Sequence, residues 1–168
     1  MRNLNKALFV LIGFIVCTEV HSQFSIKGGI LAPSGDWSEA WGLGFGGQVG
    51  YKLGGEDNLS YGGSIGFFSL SGKDVDLGFL GSFSYPNISV IPILGTIEYQ
   101  LNDQFYVGGD AGYNYFSIGD FEGGLTSSVG SSLAIIPKAG ASFESFFAEA
   151  RFNIIGDSYL SVMVGVNL

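Results

Sequence analysis

Few side chains in this sequence belong to the types that commonly carry out chemistry. The only cysteine and the only histidine, Cys17 and His21, both lie near the N-terminus. The stretch GLGFGGQVGYKL has the Gly42-x-Gly44-x-x-Gly47 spacing of a dinucleotide-binding loop. Such a loop holds a pyrophosphate at the start of a helix, but no helical pattern follows here, and apolar and small residues alternate. The spacing therefore indicates a glycine-rich β-strand and no phosphate site.

The N-terminal segment has the features of a secretory signal peptide. Two basic residues precede the apolar run ALFVLIGFIVC, which is too short to cross a bilayer. Val20 and Ser22 occupy the positions that a signal peptidase reads, so we expect a signal peptide over residues 1–22 and a barrel domain over residues 23–168. Lipoprotein processing at Cys17 is the alternative, and the bulky residue before this cysteine disfavours it.

Loss of this segment leaves no thiol and no imidazole, which narrows the enzymatic options. Catalysis would then need a Ser–Lys pair or two carboxylates. Lys138 and Ser142 share a face but lie about 13 Å apart along a strand, while Glu144 and Glu149 flank a short turn. We therefore expect no enzymatic activity, no cofactor and no metal site.

The composition favours a fold of many strands. Charged residues make up 13% of the chain, about half the usual share of a soluble domain. Glycine contributes 28 residues and the aromatic fraction is 15%, a combination typical of β-rich proteins. The net charge of −8 disfavours nucleic acid as a partner.

Eight segments show the period of two that defines a β-strand, with apolar residues alternating with small or polar ones. Ala148 and Glu149, for example, point to opposite faces of one segment. Apart from the last, the connections alternate between long and short, which predicts an up-and-down antiparallel arrangement. Pro92 and Pro137 lie inside two segments and predict bulges or strand ends. The segments span residues 23–32, 42–53, 59–71, 88–101, 105–116, 133–143, 146–155 and 159–168.

The two faces of these segments favour a membrane barrel over a soluble one. One face carries large apolar side chains, whereas a soluble barrel would carry many charges on its outer face. We therefore predict an all-β fold, an eight-stranded antiparallel up-and-down transmembrane β-barrel; a soluble, secreted lipocalin-like binding barrel is the alternative. Small residues suit the crowded interior of such a narrow barrel, and glycines cluster on the opposite face: Gly44, Gly46, Gly50, Gly108 and Gly112.

This pattern resembles the small eight-stranded outer-membrane barrels of Gram-negative bacteria, of the OmpX and OmpA-transmembrane type, and the outer membrane protein beta-barrel domain of Bacteroidota. The stretches that carry it are FSIKGG, IPILGTIEYQL, YVGGDAGYNY and the final VMVGVNL. The resemblance implies a monomer in the bacterial outer membrane, in contact with lipid and lipopolysaccharide, that the barrel assembly machinery inserts. Family members usually end in an aromatic residue, whereas this chain ends in Leu168.

The polar face of the predicted barrel encloses four basic and three acidic side chains. Charges in a confined lumen are costly unless they are paired, so we predict a network of salt bridges and hydrogen bonds that fills the lumen. In this network the Arg151 guanidinium is able to bind a carboxylate through two parallel hydrogen bonds. The alternative is that some of the charged residues lie at the rims, in water. The predicted members are Lys27, Lys52, Glu98, Asp110, Lys138, Glu149 and Arg151.

The long loops are acidic and rich in aromatic residues. Trp37 and Trp41, close to strand ends, suggest an interfacial aromatic belt, and Phe83 suggests a contact surface. The sequence thus predicts an integral outer-membrane protein with a structural or adhesion-like role, a plugged polar lumen and acidic external loops. A narrow channel or carrier for a small or hydrophobic solute is the alternative.

Overall fold

The computed structural model shows an almost entirely β-stranded chain. The first 21 residues lie outside its described part, and so does most of the predicted signal peptide, including Cys17. Among the described residues, no helix is long and apolar enough to cross a membrane. The described residues are 22–54, 58–76, 78, 82–118, 129–156 and 158–168.

Eight long strands account for most of these residues, and a short helix and a small hairpin lie between them. In chain order the elements are β1 (Ser22–Pro33), α1 (Trp37–Ala40), β2 (Trp41–Gly54), β3 (Leu59–Gly72), β4 (Asp74–Asp76), β5 (Ser82–Ser84), β6 (Ile88–Gln100), β7 (Phe105–Ile118), β8 (Val129–Phe143), β9 (Phe146–Asn153) and β10 (Tyr159–Asn167).

The eight long strands form a closed antiparallel barrel in the order β1-β10-β9-β8-β7-β6-β3-β2. Pairing of β1 with β10, with Ile26 opposite Val166, closes the cylinder. The predicted eight-stranded barrel is therefore confirmed. The hairpin of β4 and β5, which the sequence pattern did not predict, forms a separate two-stranded sheet in which Val75 lies opposite Phe83.

The prediction that both strand prolines mark bulges or strand ends is wrong for Pro92. This residue lies inside β6, and the pairing with β3 skips it without a change of register because proline has no N–H to donate. Pro137 lies where the pairing of β8 with β9 stops, one residue before Lys138. A register shift occurs instead between Trp41 and Gly44 of β2.

The outer surface of the barrel is apolar. Its outward positions carry no charged side chain in the described strands, and large side chains such as Phe45 and Val164 are 69% and 60% exposed. Exposed aromatic residues surround the barrel close to the end with the short turns, which we call the turn end; the opposite end is the loop end. These aromatic residues are Phe24, Tyr61, Tyr99, Phe105, Phe143 and Phe146.

An apolar core lies in the loop-end half of the lumen, where the sequence pattern had predicted small and polar residues. Trp37 and Trp41 pack against this core, and the indole N–H of Trp41 donates a hydrogen bond to the carbonyl oxygen of Pro86 at 3.1 Å. The interfacial-belt prediction is therefore wrong for these two residues, because they are partly buried and pack against the core inside the barrel. The core comprises Leu31, Phe68, Leu70, Ile88, Val90, Leu94, Phe116, Ala134, Ile136, Tyr159 and Met163.

Inward glycines are required by close approach of the neighbouring strand. A Cβ atom at Gly112 would collide with the carbonyl oxygen of Ile93 and would lie 2.9 Å from the Cα atom of Leu94. A Cβ atom at the outward Gly109 would lie 3.8 Å from its nearest neighbour, the carbonyl oxygen of Ile136. At these two positions of β7 the neighbouring backbone occupies the space of an inward side chain and leaves ordinary room on the outside.

This difference predicts opposite outcomes for two alanine substitutions in β7. Gly112→Ala is expected to lower the free energy of unfolding by about 1 to 3 kcal/mol because backbone must move apart. Gly109→Ala is expected to be neutral or slightly stabilising, since alanine restricts the unfolded chain. Urea unfolding in detergent micelles measures both, and equal destabilisation by the two substitutions would contradict this account.

Candidate functional site

All seven charged side chains that the sequence assigned to the lumen lie inside the barrel. Six of them are at most 9% exposed as side chains, and Lys52, at 18%, is the most accessible. They come from six different strands, since period-two alternation turns each of them inward. Their positions are Lys27 on β1, Lys52 on β2, Glu98 on β6, Asp110 on β7, Lys138 on β8, and Glu149 and Arg151 on β9.

The first half of the cluster is centred on Lys138. Glu98 bridges two lysines, with its Oε1 atom 2.7 Å from Nζ of Lys138 and its Oε2 atom 2.9 Å from Nζ of Lys52. The Lys138 ammonium also lies 2.8 Å from Oδ1 of Asp110 and donates a hydrogen bond to the hydroxyl of Thr96 at 2.7 Å. That hydroxyl in turn donates to Asp110 at 2.5 Å.

The second half is centred on Arg151. Its Nη2 atom lies 2.5 Å from Oδ2 of Asp110, and its Nε atom lies 3.7 Å from Oε1 of Glu149, too far for a hydrogen bond. The predicted two-bond grip on a single carboxylate is therefore wrong, because Arg151 spans two carboxylates. Oε1 of Glu149 lies 2.6 Å from Nζ of Lys27.

Together these contacts form a line of alternating charge that we call the charged chain. Each carboxylate lies between two cations, and a lysine stands at either end. Removing a carboxylate from the middle would leave its neighbours as buried, poorly compensated cations. The order along the line is Lys52, Glu98, Lys138, Asp110, Arg151, Glu149 and Lys27.

Neutral side chains add further hydrogen bonds to the charged chain, although Nε of Arg151 is buried without a hydrogen-bond partner in the described residues. These neutral residues were not among the predicted members of the network. Nη1 of Arg151 donates to Oε1 of Gln48 at 2.7 Å, and the hydroxyl of Tyr106 donates to Oε2 of Glu149 at 3.1 Å. The strand alternation could have identified them, since Gln48 and Tyr106 lie on the same inward faces as the charged residues of their strands.

The lumen is divided along its length. At the turn end there is a cavity of about 360 Å³ that Lys52, Tyr106 and Phe147 help to line. Beside the charged chain the free space falls to about 10 Å³, which is at the limit for one water molecule. Beyond the chain lies the apolar core. Among the described residues, no three His, Cys, Asp or Glu side chains come together in a way that would hold a metal ion.

Solved structures with the same architecture include the outer-membrane protein Ail and Neisserial surface protein A. The crystal structure of Ail, the attachment invasion locus protein of Yersinia pestis, in complex with the heparin analogue sucrose octasulfate, has a TM-score of 0.55 at 15% identity over 89% of this chain and 98% of that one. Neisserial surface protein A has a TM-score of 0.58 at 16% identity over 88% of this chain and 97% of that one. This chain has the fold of the small outer-membrane β-barrels. Neither a family model nor a curated protein matches the sequence.

The likeness to these small outer-membrane β-barrels extends over nearly the whole length of both proteins. Ail was also solved in a phospholipid bilayer nanodisc, with a TM-score of 0.50 at 12% identity over 88% of this chain and all of that one. At such low identities the comparison establishes the fold, and the chemistry of the lumen must be argued from this chain's own residues.

In this outer-membrane barrel fold the carboxylate of Asp110 is predicted to be the most sensitive member of the charged chain. Asp110→Asn removes the charge between Lys138 and Arg151 and is expected to cost about 3 to 5 kcal/mol of unfolding free energy. Asp103→Asn makes the same chemical change at an exposed turn residue and is expected to stay within about 0.5 kcal/mol. Urea titration in micelles is the measurement, and a wild-type stability for Asp110→Asn would contradict the assignment.

Proposed function

We propose that this protein is an integral outer-membrane barrel with a structural or adhesion-like role, which anchors its loops at the cell surface. The observation that carries the proposal is the uncharged, apolar outer surface of the barrel strands. Water would solvate such a surface poorly, whereas hydrocarbon requires it. The ring of exposed aromatic residues at the turn end suits the boundary between lipid tails and head groups. The same surface argues against a soluble, secreted binding barrel.

Export and insertion follow from the same proposal. The predicted signal peptide, residues 1–22, would direct the chain across the inner membrane and be removed after Ser22. The barrel assembly machinery would then insert the mature domain as a monomer, with membrane lipid and lipopolysaccharide as its neighbours. The short turns would face the periplasm and the longer loops the exterior, as in other barrels of this kind.

The loop end is built to hold its surface elements firmly. A row of aromatic contacts leads from the apolar core to the outer hairpin, with successive ring centroids 5.1 to 6.0 Å apart. Such contacts stabilise by packing area and by favourable ring geometry. The hairpin is therefore tied to the barrel, and Phe83, the middle residue of β5, is 43% exposed. The row consists of Phe116, Trp37, Trp41, Tyr85 and Phe83.

The loop end carries exposed acidic side chains, and their charge limits the kind of partner that this surface can bind. Asp36, Glu39 and Asp74 are exposed there. Lys73 is the basic residue among the described loop residues, and its ammonium donates a hydrogen bond to the carbonyl oxygen of Ser38 at 2.6 Å. A polyanion such as the heparin analogue bound to Ail would be repelled. We therefore propose a neutral or basic surface partner for this chain.

A channel or carrier function has little support. The apolar core occupies the loop-end half of the lumen, and the free space beside the charged chain is about 10 Å³. An ion would have to displace side chains that are paired with one another and strip them of their partners, which is strongly unfavourable in a confined space. A plugged lumen is part of the proposal for this reason.

Cysteine labelling tests location and orientation together. The sequence has no cysteine after Cys17, so Asp36→Cys at the loop end and Asp103→Cys at the turn end each give a mature chain with one thiol. A membrane-impermeant maleimide added to intact cells is expected to label the loop-end variant alone. The turn-end variant should react only after the outer membrane is permeabilised, and unsubstituted protein should not react.

Two results would contradict the proposal. Labelling of both variants in intact cells would place both barrel ends outside the membrane barrier. Recovery of the protein in the soluble periplasmic or culture fraction, with both thiols reactive, would show that lipid does not cover the outer surface. Reversed labelling would overturn the orientation and leave the membrane location standing.

A further inference from the structure

The charged chain has a cation at each end, and this leaves its charge unbalanced. Among the described residues the lumen holds four cationic and three anionic side chains, and every carboxylate is already shared by two cations. One positive charge in the lumen therefore has no carboxylate of its own. In a confined, poorly solvated space such a charge attracts a counter-ion more strongly than it would in open water.

Lys52 is the end of the chain that can receive such an ion. Its side chain is the most exposed of the seven at 18%, and it lines the 360 Å³ cavity at the turn end. The opposite end, Lys27, is only 7% exposed as a side chain, in a region with about 10 Å³ of free space. An incoming ion therefore meets Lys52 first.

The ammonium of Lys52 has unused hydrogen-bonding capacity. It carries three N–H donors, and within the described part of the chain it donates one hydrogen bond, to Glu98. The rings of Tyr106 and Phe147 lie 5.8 and 5.6 Å from its Nζ atom and restrict its position. A cation held against two rings, with donors left over, is arranged to bind an acceptor group.

Apart from Lys52 and its ion-pair partner Glu98, the lining supplies neutral and apolar groups, several of them hydrogen-bond donors. Gln23, Gln100 and Asn167 contribute amide groups and Ser142 contributes a hydroxyl group to the cavity wall. Amide and hydroxyl donors bind oxygen atoms of either charge state without adding repulsion, and the cavity volume is enough for a tetrahedral oxyanion with several water molecules, at about 30 Å³ each. The site therefore combines several neutral donors with one cation, Lys52, whose carboxylate partner Glu98 is shared with Lys138.

We propose that the turn-end cavity binds one small oxyanion, of the size of inorganic phosphate, with Lys52 as its cationic anchor. The bound anion lies next to Lys52, so that the line of alternating charge ends in an anion, and it compensates the unbalanced positive charge of the lumen. Under the proposed orientation the anion comes from the periplasm, but binding itself does not depend on the location of the protein. The two proposals can therefore fail separately.

Phosphate titration followed by NMR tests this site. Isotope-labelled protein in zwitterionic micelles is titrated with inorganic phosphate at constant ionic strength, and side-chain amide signals are recorded. Saturable shifts are expected for Gln100 and Asn167, which line the cavity. Asn87, which is exposed at the opposite end of the barrel, is expected not to shift and serves as an internal control.

Two lysine variants make the test specific. Lys52→Met is expected to weaken binding at least tenfold, whereas Lys73→Met, which removes a lysine at the opposite end, should leave it unchanged. If Lys52→Met fails to fold, Lys52→Arg keeps the charge, and it is expected to retain saturable binding. Absence of saturation in the unsubstituted protein, or undiminished binding in folded Lys52→Met, would overturn the proposal.

Discussion

Closure of the backbone hydrogen-bond ladder is the constraint on which this structure depends. A chain surrounded by hydrocarbon has no water to satisfy exposed N–H and C=O groups, so a sheet is stable there only without free edges. Pairing of β1 with β10 removes the last edge, and closing with only eight strands makes the cylinder narrow. In so narrow a cylinder neighbouring backbones come close together on the inside. At Gly112 and Gly46 this leaves no room for a Cβ atom, so only glycine fits there.

The interior of so narrow a cylinder has to be filled without leaving polar groups alone. The loop-end half solves this problem with apolar packing, in which Leu70 and Met163 are completely buried. The middle uses paired charges from six strands, and one pair joins Lys27 to Glu149 across 122 positions of the chain. Buried ion pairs contribute less to stability than apolar packing of similar volume. Because these pairs join residues of six strands, they accord with a role in fixing the relative register of the strands.

The sequence predicted the eight barrel strands and their two faces because the period of two is imposed by the strand backbone itself. The same alternation placed all seven charged residues inside. It did not predict which of them pair, since contacts such as Glu98 with both Lys52 and Lys138 depend on the stagger between strands. It also did not predict the apolar core, because the alternation assigns a residue to the inner or outer face and does not give its position along the barrel axis. The hairpin of β4 and β5 has three residues in each strand, too few for any period to be recognised.

The claim that lipid covers the outer surface can be measured directly at single methyl groups. The protein is placed in micelles that contain a lipid-soluble spin label, and relaxation is recorded for outward Ile65 and Ile93, which are 49% and 48% exposed, and inward Val90 and Ile136, which are each 1% exposed. The account predicts strong broadening of the outward methyl signals and little change of the inward ones. Equal broadening of both sets, or a folded monomer in buffer without any amphiphile, would contradict it.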